Sequence, residues 1–459
     1  MWTITVKGNT KKVPEVFNMR KLTLSALAIT LFASVAAAEI DFDKGGFNLE
    51  EELSKQSAPP QASAPAPEDK GIFDWLFGKP ADPKAPKEWT VMVFINAKNN
   101  LERFGLKDMN EMEMIGSSSK VNIVVELGRM DGFDASDGDW KGTRRFLIAK
   151  DNDTSKISSI PVEDLGKVDM GDYNSLTAFG KWAKEKYPAK KYMMIVWNHG
   201  SGWTKGGPDL LTKGISYDDE TGHHINTPQL GLALKAMGKL DVYGSDACLM
   251  QMAEVVYEIK DSVDYIVGSE ETEPGDGYTY DTLLAPLIAR PAMSAAELAK
   301  LAVDAYSDHY ESQATGYTQS YLKSSAIAQL LTLTNEFSYA ITVAGEKDLA
   351  KSARDAAISF AVEENKDLHH FASLVIAGTK DAEVKAKGQA LMTFITSTLV
   401  QHHRSKNDPG SWWSGPKDFS TTRGLAIYIP SGSVAGGYAD LQWAKYSNWD
   451  EFMLWLNQP

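Results

Sequence analysis

Short apolar runs alternate with amphipathic patterns from Glu88 onward, and this alternation limits the folds open to the chain. The runs 89–97, 121–127 and 192–197 are predominantly apolar, which is typical of strands buried on both faces. Helical patterns lie between them, such as the one that Asn226 or Thr227 caps, with Pro228 in its first turn. The alternation predicts an α/β fold, in which a mostly parallel sheet is sandwiched by helices.

The C-terminal half of the chain has a different pattern. Residues 294–403 read as helices throughout, before a strand at 425–429 and a helix at 449–456. We therefore expect an α/β catalytic domain at 88–290 and a helical C-terminal subdomain at 291–410. Residues 411–459 would supply a returning strand and a terminal helix that complete the fold.

The N-terminal segment resembles an export signal. Met19 begins a basic stretch that precedes the apolar run 22–37, and small residues end this run at Ala38. The pattern predicts a signal peptide at 1–38, with Met19 as the true start; the alternative is a membrane anchor. Residues 39–87 form a Pro/Ala-rich linker. The mature protein is therefore expected to be secreted or periplasmic, with no membrane attachment after signal removal.

Charge and cysteine content restrict the partners and the sources of stability. The formal net charge of −14 argues against binding to nucleic acid. A single cysteine excludes an intrachain disulfide, so stability must come from the core. We expect a monomer.

That single cysteine lies where a catalytic nucleophile would lie. The strand at 192–197 runs into His199, and the strand that ends near Asp246 runs into Cys248. A helix separates the two strands, so they should be parallel neighbours whose carboxyl ends meet at one edge. His199 could then take the proton of the thiol, and the amides of Gly200 and Cys248 could stabilise an oxyanion. We also expect a helix to begin at Cys248, where its dipole would favour the thiolate. The alternative is a core histidine and a buried thiol that merely share an edge.

Several blocks of the sequence carry a resemblance to a known family. The chain resembles the clostripain family of cysteine peptidases in Trp89-Thr-Val-Met-Val-Phe94, His199-Gly-Ser-Gly-Trp203, Asp246-Ala-Cys-Leu-Met250 and Glu270-Glu-Thr-Glu-Pro-Gly275. The resemblance implies a caspase-like fold, a Cys–His dyad and cleavage of proteins or peptides after Arg or Lys. Two alternatives stay open, namely a catalytically inactive binding module and another thiol acyl-transfer enzyme on the same scaffold.

Recognition of a basic side chain needs a carboxylate in the substrate pocket. Asp246 is the first candidate, because it precedes Cys248 by two residues at the same strand end. Asp276, on a glycine-rich loop after the next strand, is the second. Either aspartate could instead satisfy backbone amides of its own turn.

A glycine-rich segment at 202–220 follows the candidate histidine and is expected to be an exposed loop. It contains Lys205 and Lys213. A peptidase specific for basic residues would meet these lysines at high effective concentration, and the resemblance implies processing in this region. We predict self-cleavage after Lys213, which makes Gly214 a new N-terminus. The alternative is a loop that is never cut.

No cofactor is predicted from the sequence. The pairs His223-His224, His369-His370 and His402-His403 are adjacent in sequence and cannot share a helix face. The stretch 134–139 resembles a calcium loop only loosely, because no glutamate closes it. Calcium therefore remains an open alternative.

Overall fold

The computed structural model of the protein describes residues 86–203, 214–410 and 415–458. The predicted signal peptide, all but the end of the linker, and both Lys205 and Lys213 lie outside the described residues. No helix in the described part of the chain is both long and apolar enough to cross a membrane.

The strands of the described residues are numbered β1 to β13 along the chain. Their bounds are Lys87–Asn96, Val121–Arg129, Gly142–Leu147, Pro161–Gly166, Ala189–Trp197, Gly214–Asp218, His223–Asn226, Leu240–Asp246, Val263–Gly268, Tyr317–Lys323, Asn365–Asp367, Val400–Lys406 and Ala426–Tyr428.

The α-helices are numbered α1 to α12 in the same way. Their bounds are Glu102–Ile115, Tyr173–Lys186, Thr227–Met237, Ala253–Ile259, Tyr280–Ala289, Ala295–Glu311, Ile327–Ala344, Lys347–Ala356, Leu368–Gly378, Ala382–Phe394, Gln442–Tyr446 and Trp449–Asn457. A π-helical segment, Ile395–Leu399, joins α10 to β12.

A mixed, nine-stranded sheet organises the fold, in the order β12-β10-β9-β8-β5-β1-β2-β3-β4. The five central strands, from β9 to β2, pair in parallel. Two strands on each side extend the sheet in antiparallel fashion. The predicted mostly parallel sheet is therefore confirmed at its centre.

Both faces of the sheet are buried, which explains why its central strands read as apolar runs rather than alternating patterns. On one face, Met92 and Phe94 of β1 pack in a core with helices α2, α3 and α4 and most of the C-terminal helices. On the other face, Val91 and Val93 of the same strand pack with α1, α5 and α6. Successive residues of β1 thus serve opposite cores.

The predicted start of α3 is confirmed by its capping interactions. The Asn226 side chain accepts a hydrogen bond from the amide of Gln229, and the Gln229 side chain accepts one from the amide of Asn226. This capping box, with Pro228 in the first turn, fixes where the crossover between β5 and β8 becomes helical.

The expectation that 294–403 is helical throughout is wrong at three places, namely β10, β11 and the beginning of β12. Strands β10 and β12 extend the central sheet beyond β9. The sequence of β12, Val-Gln-His-His-Arg-Ser-Lys, is mostly polar, because this edge strand is held by backbone pairing rather than by burial of its side chains. The described residues belong to one compact unit.

Candidate active site

The backbone pairing of two parallel strands brings the predicted histidine and cysteine to one edge of the sheet. Trp197, the last residue of β5, pairs with Asp246, the last residue of β8. His199 and Cys248 each follow two residues later. A Cβ atom added to Gly200 would lie 2.4 Å from the carbonyl oxygen of Cys248 and 3.0 Å from its nitrogen. The two loops are therefore in direct backbone contact, which only glycine at position 200 permits.

Asn198 fixes the chain at the point where β5 ends. Its backbone amide donates a hydrogen bond to the backbone carbonyl of Asp246 at 3.2 Å. Its side-chain Oδ1 accepts a hydrogen bond from the Tyr217 amide at 2.8 Å, and its Nδ2 donates to the carbonyl of Asn96. The loop that carries the histidine is thus tied to β8, β6 and β1 at once, so the side chain starts from a rigid edge.

The ring of His199 is held by Asn100, at the carboxyl end of β1. The Nε2 atom of His199 lies 2.7 Å from the Oδ1 atom of Asn100. Because Oδ1 only accepts hydrogen bonds, Nε2 carries the proton and Nδ1 keeps its lone pair. Burial lowers the pKa of His199, although the charge of Asp219 opposes this shift. A neutral imidazole with an open nitrogen can act as a general base.

Cys248 is half-buried and its thiol is held in the neutral form. Burial raises the pKa of Cys248 to about 11, although a hydrogen bond from the Glu273 amide opposes the shift. That amide lies 3.3 Å from Sγ. The described residues contain no hydrogen bond between the sulfur and the ring of His199. In this state both members of the predicted dyad are uncharged.

The expectation that a helix begins at Cys248 is wrong. Helix α4 begins at Ala253, and Leu249 adopts a left-handed backbone conformation with φ of 64°. The following residues are held extended by the sheet edge, because the amide of Gln251 donates to the carbonyl of Ser269 at 3.0 Å. Cys248 therefore receives no helix dipole, which is consistent with the raised pKa of its thiol.

The first candidate for recognition of a basic side chain, Asp246, is buried next to the cysteine. Its Oδ1 accepts a hydrogen bond from the Tyr278 amide at 3.1 Å, and its Oδ2 accepts one from the Tyr280 hydroxyl at 2.8 Å. Burial raises the pKa of Asp246. A second buried carboxyl lies nearby, because burial and then the charge of Asp246 raise the pKa of Glu273 well above its usual range.

The second candidate, Asp276, already has a cationic partner in Lys107 and a further contact with His309. Its Oδ1 lies 3.0 Å from Nζ of Lys107, and its Oδ2 lies 3.5 Å from Nε2 of His309. Burial acts against ionisation of Asp276, but the hydrogen bond and charge of Lys107 outweigh it and lower the pKa. A substrate cation at Asp276 would have to compete with Lys107.

The loop expected at 202–220 is only partly a loop. Gly214 begins β6, which pairs with β7 as a hairpin. The carbonyl of Gly214 accepts a hydrogen bond at 3.1 Å from the backbone amide of Ser201, which follows His199 by two residues. The residue predicted to become a new N-terminus is therefore fixed beside the candidate histidine.

Two cavities are described, and the larger one lies away from this site. It has a volume of about 700 Å³ and includes Lys239 and Ser262, which precede β8 and β9 at the amino ends of the strands. The smaller one, of about 230 Å³, is lined by the loop 271–274 that contacts Cys248, and by Thr315, Asp408 and Lys417. The smaller cavity is thus lined by the loop whose Glu273 amide contacts the sulfur.

Sequence reasoning missed two residues that contact the candidate dyad. Asn100 follows an apolar strand and therefore belongs to the same carboxyl edge as His199. Glu273 lies in the Glu-rich segment after β9, where another parallel strand ends at that edge. In both cases the strand order was the missing information. The described residues contain no group of three or more His, Cys, Asp or Glu side chains suited to a metal ion, and the calcium alternative stays untested.

This arrangement of strand order and edge residues can be compared with known proteins. Residues 93–398 match the profile of the clostripain family, peptidase C11. The chain belongs to the clostripain family. The resemblance drawn from the motifs is confirmed, and with it the assignment to a family of cysteine peptidases.

Individual relatives of this clostripain-family chain are distant. Clostripain from Hathewaya histolytica is 26% identical over an aligned length of 215 residues, and the match covers 42% of this chain and 41% of that relative. The match thus spans about two fifths of the relative's length.

Two solved structures are similar in fold. One is a secreted C11 cysteine protease from Bacteroides thetaiotaomicron in complex with an irreversible peptide inhibitor. It shares 20% identity at a TM-score of 0.60, over 79% of this chain and 99% of that chain. The other is an inactive zymogen C11 protease from Parabacteroides distasonis. It shares 18% identity at a TM-score of 0.58, over 78% of this chain and 98% of that chain. The predicted fold class is therefore confirmed.

Proposed function

We propose that this clostripain-family protein is a cysteine endopeptidase that cuts after Arg or Lys, with Cys248 as nucleophile and His199 as base. The observation that carries the proposal is the strand pairing of Trp197 with Asp246. This pairing puts the side chains of His199 and Cys248 at one edge of the sheet, where Gly200 packs against the backbone of Cys248.

The reaction follows from groups already in place. As the substrate carbonyl binds, Nδ1 of His199 takes the thiol proton, and the sulfur attacks the carbonyl carbon. The amides of Gly200 and Cys248 stabilise the oxyanion that forms. His199 then gives its proton to the leaving amine, which leaves a thioester. Water attacks the thioester, and its proton passes through His199 back to the sulfur. Every step uses protein groups and water alone, without a metal ion or cofactor.

Preference for a basic side chain rests on buried carboxyl groups near the sulfur. Asp246 is buried two residues from Cys248 and accepts hydrogen bonds from two neutral donors, the Tyr278 amide and the Tyr280 hydroxyl. A cation bound at Asp246 would be attracted strongly to its carboxylate, because water is excluded from this buried position. Asp276 is the weaker choice, since Lys107 already neutralises it. The substrates are proteins or peptides, and the enzyme acts as a monomer.

We further propose that the enzyme cuts itself after Lys213. The residue after that bond, Gly214, is hydrogen bonded to the segment that carries His199. The scissile bond is therefore tethered beside the site at a high effective concentration. Cleavage would separate the strand that carries the base from the strand that carries the nucleophile, while the sheet pairing of β5 with β8 keeps them together.

Export follows from the predicted signal peptide at 1–38, so the enzyme would be secreted or periplasmic. One of the structural relatives is described as secreted. An extracellular or periplasmic location gives a peptidase access to foreign proteins while the cytoplasm is protected.

An irreversible inhibitor tests the proposal against its two alternatives. A peptide chloromethyl ketone with arginine should alkylate Cys248, as read by mass spectrometry, and the matched norleucine ketone should react far more slowly. An inactive binding module would be labelled by neither reagent. Another acyl-transfer enzyme would be labelled without the preference for arginine. Cys248→Ala serves as the control for labelling elsewhere.

A further inference from the structure

The turn that carries the candidate nucleophile is hydrogen bonded to the segment that follows β9. The amide of Leu249 donates to the carbonyl of Glu271 at 3.1 Å, and the amide of Gln251 donates to the carbonyl of Ser269 at 3.0 Å. Leu249 has a left-handed backbone conformation, which costs free energy for a bulky residue and persists only where neighbouring contacts enforce it. The position of Cys248 therefore depends on the segment after β9.

The carboxylate of Glu271 connects this segment to the C-terminal region, meaning residues 291 onward. The Glu271 side chain is 6% exposed, and both of its oxygens have partners. Oε1 accepts hydrogen bonds from the amides of Thr272 at 2.8 Å and Ala361 at 2.9 Å, and Oε2 lies 2.6 Å from Nζ of Lys417. Glu271 thus holds the nucleophile turn with its main chain and the C-terminal region with its side chain.

Lys417 reaches Glu271 from a short backbone pairing. Lys417 and Asp408, which follows β12, exchange two backbone hydrogen bonds of 2.9 Å each. The Lys417 side chain is 38% exposed, so its ammonium extends from solvent to a carboxylate that is almost fully buried. Removal of one partner from such a pair leaves an uncompensated buried charge, which is costly. Loss of Lys417 should therefore shift the segment that carries this carboxylate.

Other contacts between the C-terminal region and the nucleophile turn agree with this connection. The amide of Ala426 in β13 donates to the carbonyl of Gln251 at 3.0 Å, and the amide of Gly424 donates to Oε2 of Glu270 at 3.1 Å. The contact of Lys417 differs from these because it is an ion pair between side chains. A single substitution can therefore remove it without altering the backbone.

The carboxylate of Glu271 also contributes to the electric field at the sulfur. Burial is the main cause of the raised pKa of Cys248, and the charges of Glu273 and Glu271 add to it. The ammonium of Lys417 opposes the charge of Glu271, since the two groups are in direct contact. The ion pair is thus connected to the nucleophile in two ways, through the backbone of the turn and through charge.

We propose that Glu271 is a positioning residue of the active site, through which Lys417 and the C-terminal region hold the nucleophile turn in its reactive conformation. This inference rests on the proposed function. Neither side chain takes part in bond formation, because both act on Cys248 through the backbone of Leu249 and through charge. The C-terminal region then has a defined role, which is to complete the active site.

Two substitutions that each remove one charge of the pair test the inference. Lys417→Met removes the ammonium and keeps the apolar stem. Glu271→Gln removes the negative charge and keeps a carbonyl that can accept from the amides of Thr272 and Ala361. Turnover of a fluorogenic arginine peptide gives kcat and KM. The rate of alkylation by iodoacetamide at a fixed, mildly alkaline pH gives the reactivity of the Cys248 thiol.

The matched control is Lys387→Met. Lys387 of α10 is 33% exposed and lies 3.1 Å from Glu336 of α7, so the two form an ion pair within the C-terminal region. This pair includes no residue that contacts the nucleophile turn. The control should leave kcat, KM and the alkylation rate unchanged.

Both test variants should lower kcat and change KM little, because the nucleophile is displaced. We expect a loss of roughly tenfold, since a misplacement of about 1 Å can cost on the order of 10²-fold. The alkylation rates should change in opposite directions, by about threefold or more. Glu271→Gln removes a negative charge near the thiol and should accelerate the reaction, whereas Lys417→Met leaves that charge unopposed and should slow it. A merely structural disturbance would expose the thiol and accelerate both.

A double variant shows whether the two residues act as one unit. In the Glu271→Gln protein, the further change Lys417→Met should lower kcat by little more, because the partner of the lysine is already neutral. Two losses that simply multiply would mean that Lys417 does not act through Glu271, and this result would overturn the inference.

The remaining outcomes separate the inference from the function on which it rests. Unchanged kcat in both variants, or alkylation that changes in the same direction in both, would overturn the inference and leave the peptidase proposal standing. Wild type that cleaves no basic peptide would contradict the proposed function, and the alkylation rates alone would then decide the inference. The thermal unfolding midpoint shows whether each variant is folded. If Glu271→Gln does not fold, a kcat for Lys417→Met equal to that of the control would still overturn the inference.

Discussion

The Nε2 atom of His199 lies 2.7 Å from the Oδ1 atom of Asn100, so an amide at the end of β1 orients the base at the end of β5. The adjacent strands place these two residues at one edge, and the hydrogen bond fixes which ring nitrogen carries the proton. The nitrogen that faces away from Asn100 is then always the one that can accept the thiol proton.

Loss of this orientation should slow the chemical step more than substrate binding. Asn100→Ala should lower kcat roughly tenfold or more, as part of the roughly 10²–10⁴-fold that a positioned acid–base group contributes, and leave KM nearly unchanged. Asn100→Asp should restore much of kcat, because its carboxylate also accepts from Nε2. It should also raise the pKa of His199 and move the acidic limb of the pH–rate profile upward. An unchanged kcat in Asn100→Ala would exclude the orienting role.

The neutral state of the resting dyad predicts how the thiol responds to pH. Since burial raises the pKa of Cys248 to about 11, the thiolate fraction rises throughout the neutral and mildly alkaline range. Alkylation by iodoacetamide should therefore accelerate by about tenfold per pH unit between pH 7 and 9, without a plateau. A rate that levels off below pH 7 would instead indicate a preformed thiolate–imidazolium pair. The single cysteine makes the measurement free of background.

The two aspartate candidates should differ sharply in their effect on specificity. Asp246→Asn should depress turnover of Arg and Lys peptides far more than that of neutral peptides, by about 2–5 kcal/mol, because a desolvated charge partner is lost. Asp276→Asn should change specificity little, since Asp276 already pairs with Lys107. The ratio of kcat/KM for arginine and citrulline peptides measures both effects. A loss of preference in Asp276→Asn alone would transfer the role to Asp276.

Self-cleavage should require both the active-site cysteine, Cys248, and the lysine before the cleaved bond, Lys213. Purified wild type should give two fragments on a denaturing gel, and the second should begin at Gly214 by N-terminal sequencing. Cys248→Ala and Lys213→Ala should both stay whole. Cleavage that persists in Cys248→Ala would reveal a contaminating protease. Wild type that stays whole yet is fully active would contradict a need for processing.

The sequence predicted which residues meet at the sheet edge, because this depends on the order of strands and helices along the chain. Two apolar strands separated by a capped helix determine a parallel crossover, and this placed His199 beside Cys248 without any knowledge of side-chain contacts. The same reasoning failed at β12, where a polar edge strand carries no apolar signal. It also failed at Cys248 itself. The left-handed conformation of Leu249 delays helix α4 to Ala253, and no propensity rule anticipates that conformation for leucine.

The electrostatics of the pocket lay beyond sequence reasoning for a different reason. Asp246 was identified from its spacing to Cys248, but the effect of its charge on the pKa of Glu273, which adds to that of burial, depends on how the loop after β9 folds back. Likewise, the neutralisation of Asp276 needs Lys107 of α1, which is far away in sequence. Contacts between distant segments set these charges, and a pattern in one segment does not contain them.

The most direct test of the account is turnover of fluorogenic Arg and Lys peptides by wild type, Cys248→Ala and His199→Ala. We predict rapid cleavage after the basic residue by wild type. We predict no measurable cleavage by Cys248→Ala, and a rate for His199→Ala lower than wild type by a factor of roughly 10² or more. A Cys248→Ala protein that is folded and retains more than a few per cent of wild-type activity would contradict the central claim.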